Sequence, residues 1–309
     1  MIGDGMGSNQ VNMAHDYSGT NLNMENFPYK GTSETSNNTG GVTDSAAGGT
    51  ALACGIKTAN KKIGMDPSGN SKENIREFLV QRGKKSGLVS TVSITDATPA
   101  AFGAHNENRS NQAAIAEEFV SREIDVIMGG GGNNFGTALR NTAQNQKGYT
   151  IVTQKSALAS FNGNTKLLAL FQSGDFPYFS HGYSSAIPRL YEMTEKAVEI
   201  LNQGENGFFL MVEGGRIDHA GHSNLKNENI FEVIEFDLAV KIAMDFAEEN
   251  KDTLVIVTAD HETGALTKEG SGYKFKSDNH SDAPVPVLPW VPERRTLPET
   301  WSIPIFLTE

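Results

Sequence analysis

Residues 208–222 read Phe-Phe-Leu-Met-Val-Glu-Gly-Gly-Arg-Ile-Asp-His-Ala-Gly-His. Phe208 to Glu213 is a short apolar run closed by an acid, the pattern of a strand buried on both faces in a parallel sheet. Asp218 and His222 then stand four apart, which puts them on one face of a helical turn at a spacing that suits two ligands of one ion.

The same pattern recurs along the chain. Lys85 to Thr95, Ile124 to Gly129 and Thr253 to Ala259 are further β-branched or apolar runs, and helical patterns lie between the strands at Asn74 to Arg82, Ala186 to Asn202 and Ile230 to Asn250. Pro188 is tolerable in a first helical turn, and the last helix repeats apolar residues at Val233, Ile234, Leu238, Ile242 and Phe246. This alternation predicts an α/β fold, a mostly parallel central sheet with helices on both faces, as a single domain over residues 1–309. No internal repeat is present. The polar segments 16–41 and 129–147 read as surface excursions, a small accessory insertion is expected within 130–185, and 288–309 forms an atypical tail.

Ligands of an open parallel sheet gather outside the carboxyl ends of its strands. There the sequence places Asp4 after a strand remnant, Asp96 and Thr98 after 85–95, Glu213 at the end of 208–213, and Asp260 with His261 after 253–259. His280, in a loop before Ala-Pro-Val-Pro-Val, could close the site. Nitrogen and oxygen ligands without thiolates fit Zn²⁺, and an all-oxygen set of Asp, Thr and Glu fits Mg²⁺.

Composition excludes other classes. A formal charge of −11 without a Lys/Arg-rich block argues against nucleic acid as a partner. No apolar run is long enough for a membrane span. Cys54 is the lone cysteine, so neither an internal disulfide nor a thiolate zinc site can form. The opening Met-Ile-Gly-Asp-Gly carries no secretory signal and looks like the end of a strand, so a truncated N-terminus is expected.

Residues 42–58 raise a further question, because Asp44 and Ser45 are followed by a run of very small side chains. Such a run suits a tightly packed helix, or a serine at a helix start aimed at an anion. Each candidate also has a plain structural reading: Asp4, Asp96 and Ser45 as helix caps, Arg109 as a solvated cation, and His15, His105 and His181 as ordinary histidines. The coincidence of so many candidates at one sheet edge favours a site.

Taken together, Ile-Gly-Asp-Gly-Met-Gly, Val-Thr-Asp-Ser-Ala-Ala, Asp-Ala-Thr-Pro-Ala-Ala-Phe with Arg109 thirteen residues after Asp96, Val-Glu-Gly-Gly-Arg-Ile-Asp-His-Ala-Gly-His, Thr-Ala-Asp-His-Glu-Thr-Gly and His280 before Pro-Val-Pro-Val resemble the alkaline phosphatase family in its own order. The resemblance runs from residue 1 to about 287. It implies hydrolysis of small phosphate monoesters through a phosphoserine on Ser45, with two zinc ions and one magnesium ion. Asp4, Asp260 and His261 match the ligands of the zinc that activates the serine. Asp218, His222 and His280 match those of the second zinc, and Asp4, Thr98 and Glu213 those of magnesium. Arg109 matches the phosphate-gripping guanidinium and Asp44 its orienting partner. Asp96 resembles the acid bonded to water on magnesium, and His219 an outer group near the phosphate.

Many relatives carry histidine where Asp96 stands, and the aspartate favours magnesium. A homodimer and a periplasmic or extracellular location are implied by the same resemblance. Related phosphodiesterases and phosphomutases share the metal pair but lack the Asp-Ser-Ala-Ala context with Arg109, and a truncated non-catalytic remnant is the non-enzyme alternative. Beyond Val287 the resemblance ends. Codons for Trp290 to Trp301, read in a shifted phase, can encode a stretch of the family type, so an out-of-frame tail is expected there.

Overall fold

A computed structural model describes residues 1–163 and 165–291. Six strands form one sheet, in which Tyr149–Val152 lies at one edge, followed by Lys166–Leu170, Val126–Gly130, Lys85–Ser93, Phe208–Gly214 and Ile2–Gly3. Every neighbouring pair is parallel. Val255–Val257 continues this sheet through a parallel bridge from Ile2 to Thr258, with the Gly3 N–H donating to the Thr258 carbonyl at 2.9 Å. Val285–Trp290 then pairs antiparallel with both Val255–Val257 and Gly31–Ser33.

Alternate residues of the central strands enter two separate cores, which is why these runs are apolar without a polar face. Val89, Val126, Met128, Leu167 and Val212 pack with the Leu190–Leu201 and Lys226–Asn250 helices on one side. Leu88, Ile127, Leu168 and Met211 pack on the other side with Ala46 and Ala53 of the Ser45–Cys54 helix and with the Ala97–Gly103 and Gln112–Ser121 helices. Each fully buried aliphatic side chain of this kind contributes about 1.5–3 kcal/mol.

The boundaries differ from the sequence reading for local reasons. The Ile75–Val80 helix is shorter than 74–82, and Asn74 is its cap, accepting from the Glu77 N–H at 2.9 Å. Pro188 precedes its helix, since the Arg189 N–H donates to the Glu192 side chain and the helix begins at Leu190. Lys226–Asn250 starts before Ile230 and turns its Val233, Phe236 and Val240 face deepest, leaving Ile234, Leu238, Ile242 and Phe246 half-buried. It also buries three acids: Glu235 is forked onto Arg189, Asp237 accepts the Asn23 and Met24 N–H groups, and Glu232 accepts from the Phe179 N–H. A buried carboxyl is tolerated where such hydrogen-bond partners are supplied.

Segment 130–185 is not an insertion standing apart. It supplies the two outermost strands of the main sheet, and the expected surface excursion 129–147 contains the Thr137–Lys147 helix. Within 16–41, Leu22, Met24 and Phe27 are buried in the core. Of the atypical tail, Leu288 to Trp290 extend a strand through backbone pairing with Val255–Val257 that needs no particular side chain. Residues 292–309 lie outside the described residues, and so does most of the expected frameshift.

Candidate active site

Four neighbouring strands deliver the site to one rim. Asp260 and His261 follow Val255–Val257, Asp4 follows Ile2–Gly3, Glu213 stands opposite Ile2 in Phe208–Gly214, and Asp96 with Thr98 follows Lys85–Ser93. A left-handed Gly5 with φ of 69° turns the chain after Asp4 and lets its N–H donate to Asp260 Oδ1 at 3.2 Å.

Ser45 opens the Ser45–Cys54 helix, capped by Asp44, whose Oδ1 accepts from the Ala47 N–H at 2.9 Å. The small residues that follow are a packing requirement. A Cβ at Gly48 would come 2.7 Å from the Asp260 carbonyl oxygen, and one at Gly49 would come 3.2 Å from Thr98 Cα. Tight packing and an aimed serine are therefore the same feature, because only a helix this thin brings Ser45 Oγ to 3.1 Å from His261 Nε2.

Around that hydroxyl the ligand candidates meet. His261 Nε2 lies 3.3 Å from Asp260 Oδ2 and 3.6 Å from Asp4 Oδ1, while the Thr98 hydroxyl donates to Asp4 Oδ2 at 3.2 Å. The His280 ring stacks on His261 with centroids 3.6 Å apart. Asp218 Oδ2 is 3.4 Å from His222 Nε2, and Asp218 Oδ1 is 3.5 Å from His280 Nε2. Ligand atoms of Asp218, His222 and His280 all fall within 4.8 Å of one another, and so do those of Asp4, Asp218 and His261. Asp218 thus stands between the two sets instead of belonging to one alone.

Proton accounting tests whether cations fit. His222 Nδ1 lies 2.6 Å from the Asp278 carbonyl and His280 Nδ1 2.9 Å from the Thr43 carbonyl, which assigns a proton to each Nδ1. Their Nε2 lone pairs then face each other across 3.0 Å, an arrangement that needs a proton or a metal ion between them. Among the described residues, buried Asp4 Oδ1 and Glu213 Oε1 have no hydrogen-bond partner. Lone pairs of imidazole and carboxylate left facing inward in this way suit divalent cations.

The titration behaviour follows from the same crowding. Burial first, then the charges of Asp260, Asp218, Glu213 and Asp96, hold the Asp4 carboxyl well above its ordinary range. Burial pushes Glu213 up to about 8 against the hydrogen bond from Ser90, and burial with the Asp218 charge pushes Asp260 up to about 6. For Asp218 burial is outweighed by the His280 hydrogen bond and the neighbouring histidines, which hold it low. His280 is raised, since Asp218 outweighs its burial, whereas burial and the His280 charge hold His261 well below the imidazole range. Without metal, the cluster takes up protons where cations fit.

Arg109 lies at the edge of this cluster, with Nη2 donating to Asp96 Oδ1 at 3.0 Å and Nη1 to Asp44 Oδ2 at 3.5 Å. Both acids are also helix caps, as Asp96 Oδ1 accepts from the Ala97 N–H at 2.7 Å, so the capping reading and the orienting reading hold together. Asp4 caps no helix; the first begins at Ser8 behind Gly7. His219 bonds Arg216 at 2.6 Å and lies 3.6 Å from Asp175, on the outer side of its helix.

Several supporting groups escaped the sequence reading. The Ser90 hydroxyl bonds Glu213, its register partner on the next strand, which only strand pairing reveals. Tyr178, under the Arg216 guanidinium at 3.9 Å, and Asp175 come from a loop with no motif. Thr263 touches both ligand sets, and its place two residues after His261 in extended chain was the available signal.

A doubly covered parallel sheet whose carboxyl rim gathers imidazoles and carboxylates round one serine defines an α/β class suited to holding divalent cations. Within that class the chain belongs to the alkaline phosphatase family, whose model, described as alkaline phosphatase, matches residues 1–288. It is 42% identical over 293 residues to alkaline phosphatase 4 of Bacillus subtilis and 41% identical over 239 residues to alkaline phosphatase 3 of the same organism. These alignments cover 89% and 75% of the chain, which spans only 63% and 51% of those two relatives. The structure of alkaline phosphatase from the Antarctic bacterium TAB5 superposes with a TM-score of 0.87 at 34% identity, covering 94% of this chain and 90% of that one. A histidine-to-aspartate mutant of the TAB5 enzyme, with a TM-score of 0.85 at 34% identity, has Mg bound in its M3 site and aligns over 94% of this chain and 89% of its own.

Proposed function

We propose that this chain hydrolyses small phosphate monoesters to an alcohol and inorganic phosphate through a phosphoserine on Ser45. The observation that carries the reading is the 3.1 Å contact of Ser45 Oγ with His261 at the centre of two ligand sets, beside a guanidinium held by two acids. Asp4, Asp260 and His261 would hold one zinc ion, Asp218, His222 and His280 a second, and Asp4, Thr98 and Glu213 a magnesium ion. Magnesium in the third position is supported by the aspartate at 96 and by the magnesium of the TAB5 aspartate mutant. When bound, divalent cations supply charge that lowers the pKa of nearby hydroxyl and water and stabilises a departing alkoxide.

The residues of the chain do the rest. Arg109 offers two N–H groups to two phosphate oxygens, its fork aimed by Asp44 and Asp96. Ser45 Oγ, at the positive end of a ten-residue helix, forms a bond to phosphorus as the bond to the alcohol oxygen breaks. Water then displaces Ser45 from phosphorus, which restores the hydroxyl and releases phosphate. Support for small-molecule substrates, for an extracytoplasmic location and for pairing as a homodimer comes from family membership alone. No helix among the described residues is long and apolar enough to cross a membrane.

Zinc- and magnesium-loaded protein is expected to release phosphate from a nitrophenyl monoester far faster than from the corresponding bis-ester. Faster diester turnover, or none with either, overturns the assignment. Arg109→Lys keeps the charge but loses the planar fork, and is expected to raise KM for the monoester by roughly ten- to a hundredfold, the worth of one charged hydrogen bond. An unchanged KM removes Arg109 from the substrate grip.

A further inference from the structure

The two ligand sets are joined by a hydroxyl that belongs to neither. Thr263, fully buried, follows His261 by two residues in the short Glu262–Thr263 strand. Its Oγ1 donates to Asp218 Oδ1 and lies 3.3 Å from His261 Nδ1. The carboxylate can only accept, so the single hydroxyl proton goes to Asp218 and the Thr263 oxygen accepts from His261 Nδ1–H. That fixes the tautomer of His261, turning its Nε2 lone pair toward Ser45, Asp4 and Asp260. The same bond turns the second oxygen of Asp218 toward His222.

The backbone of this residue ties in the remaining ligands. The Thr263 N–H donates to the Gly5 carbonyl at 3.1 Å, next to Asp4, and Thr263 is the register partner of His280 in an antiparallel pair. Glycines at 5 and 221 leave the room it needs. A Cβ at Gly5 would come 2.7 Å from Thr263 Oγ1, and one at Gly221 would come 3.0 Å from its Cγ2. Thr263 is therefore built against the segments that carry Asp4, Asp218, His222, His261 and His280.

Resting on the metal-centre reading above, we propose that Thr263 is a positioning residue that couples the two zinc-ligand sets through one shared hydroxyl, so that the metals are held jointly. Its hydroxyl orders one ligand of each set at the same time. Supporting groups of this kind are worth about 10- to 100-fold in metal affinity.

The test compares Thr263→Val, which keeps shape and removes the hydroxyl, with Thr263→Ser, which keeps the hydroxyl. Zinc release from the loaded full chain to a chromogenic chelator is followed for each, together with the visible spectrum of the cobalt-substituted protein. The expected result is that Thr263→Val loses both zinc equivalents together with roughly 10- to 100-fold weaker retention. Its cobalt bands shift, and Thr263→Ser restores parent behaviour. Circular dichroism of the loaded variants shows whether they are folded, and a Thr263→Val chain that fails to fold leaves the comparison to Thr263→Ser and Thr263→Asn, of which only the first should match the parent. Parent protein that holds two zinc ions while Thr263→Val releases them no faster, or a Thr263→Ser chain as leaky as Thr263→Val, overturns the inference and leaves the metal-centre reading standing. Parent protein that retains no zinc overturns that reading and the inference with it.

Discussion

Ser45→Ala is expected to lower turnover of a nitrophenyl phosphate monoester by at least about 10³-fold while zinc retention and melting temperature stay close to those of the parent. The loss is large because no other side chain can take the place of the hydroxyl. Ser45 Oγ sits 3.1 Å from His261 Nε2 at the start of a helix that packs against the Asp260 backbone, so the position tolerates no rearrangement that would bring in another nucleophile. Stability changes little, since among the described residues the polar side-chain contact given up is the single one to His261. Steady-state turnover measured beside zinc content separates the two effects. A variant that keeps full turnover removes Ser45 from the chemistry.

Chelation of the metals is expected to have the second large effect, and its size depends on pH. In the metal-free chain Asp260 is raised to about 6, Glu213 to about 8 and Asp4 well above its ordinary range, all by burial among like charges. A carboxyl raised in the folded state stabilises the fold fully below its unfolded pKa, near 4, and that stability is lost as pH climbs through the folded value. The metal-free protein should therefore lose stability progressively from about pH 4, the ordinary carboxyl range, to about pH 8, the folded value of Glu213. At pH 9 that contribution is gone, so the metal-free chain should melt at a clearly lower temperature than at pH 5. Bound cations compensate the same charges, so zinc and magnesium should restore the alkaline melting temperature and act much less at pH 5. Calorimetry with and without chelator at pH 5 and pH 9 checks this. Equal melting temperatures at pH 9 would show that the carboxylates need no cation.

How much could be read in advance differs between elements for physical reasons. The strands at 85–93, 126–130 and 208–214 were legible because residues buried on both faces leave a continuous apolar run. The outer strands at 149–152 and 166–170 were not. Tyr149–Val152 carries threonine at the sheet edge, and Lys166–Leu170 follows a polar stretch inside the segment read as an accessory insertion, 130–185. The helix at 226–250 showed its period but not its inward face, because Glu232, Glu235 and Asp237 are buried against partners from distant loops.

The candidate ligand residues stood out in the sequence, since so many acids and histidines fall at one sheet edge. Their partners did not, for hydroxyls such as Ser90 and Thr263 are common everywhere and gain meaning only by what lies opposite.

The sequence by itself determined the parallel α/β class and nearly the whole set of side chains that gather round Ser45, because periodicity and position after a strand are local properties of the chain. Only the tertiary structure decided that the small residues after Ser45 make room for Asp260, that Asp218 stands between both sets of candidate ligands, and that Thr263 touches one residue of each. Those are distances between segments up to more than two hundred residues apart, and they are set by strand register and helix packing, which no local pattern encodes.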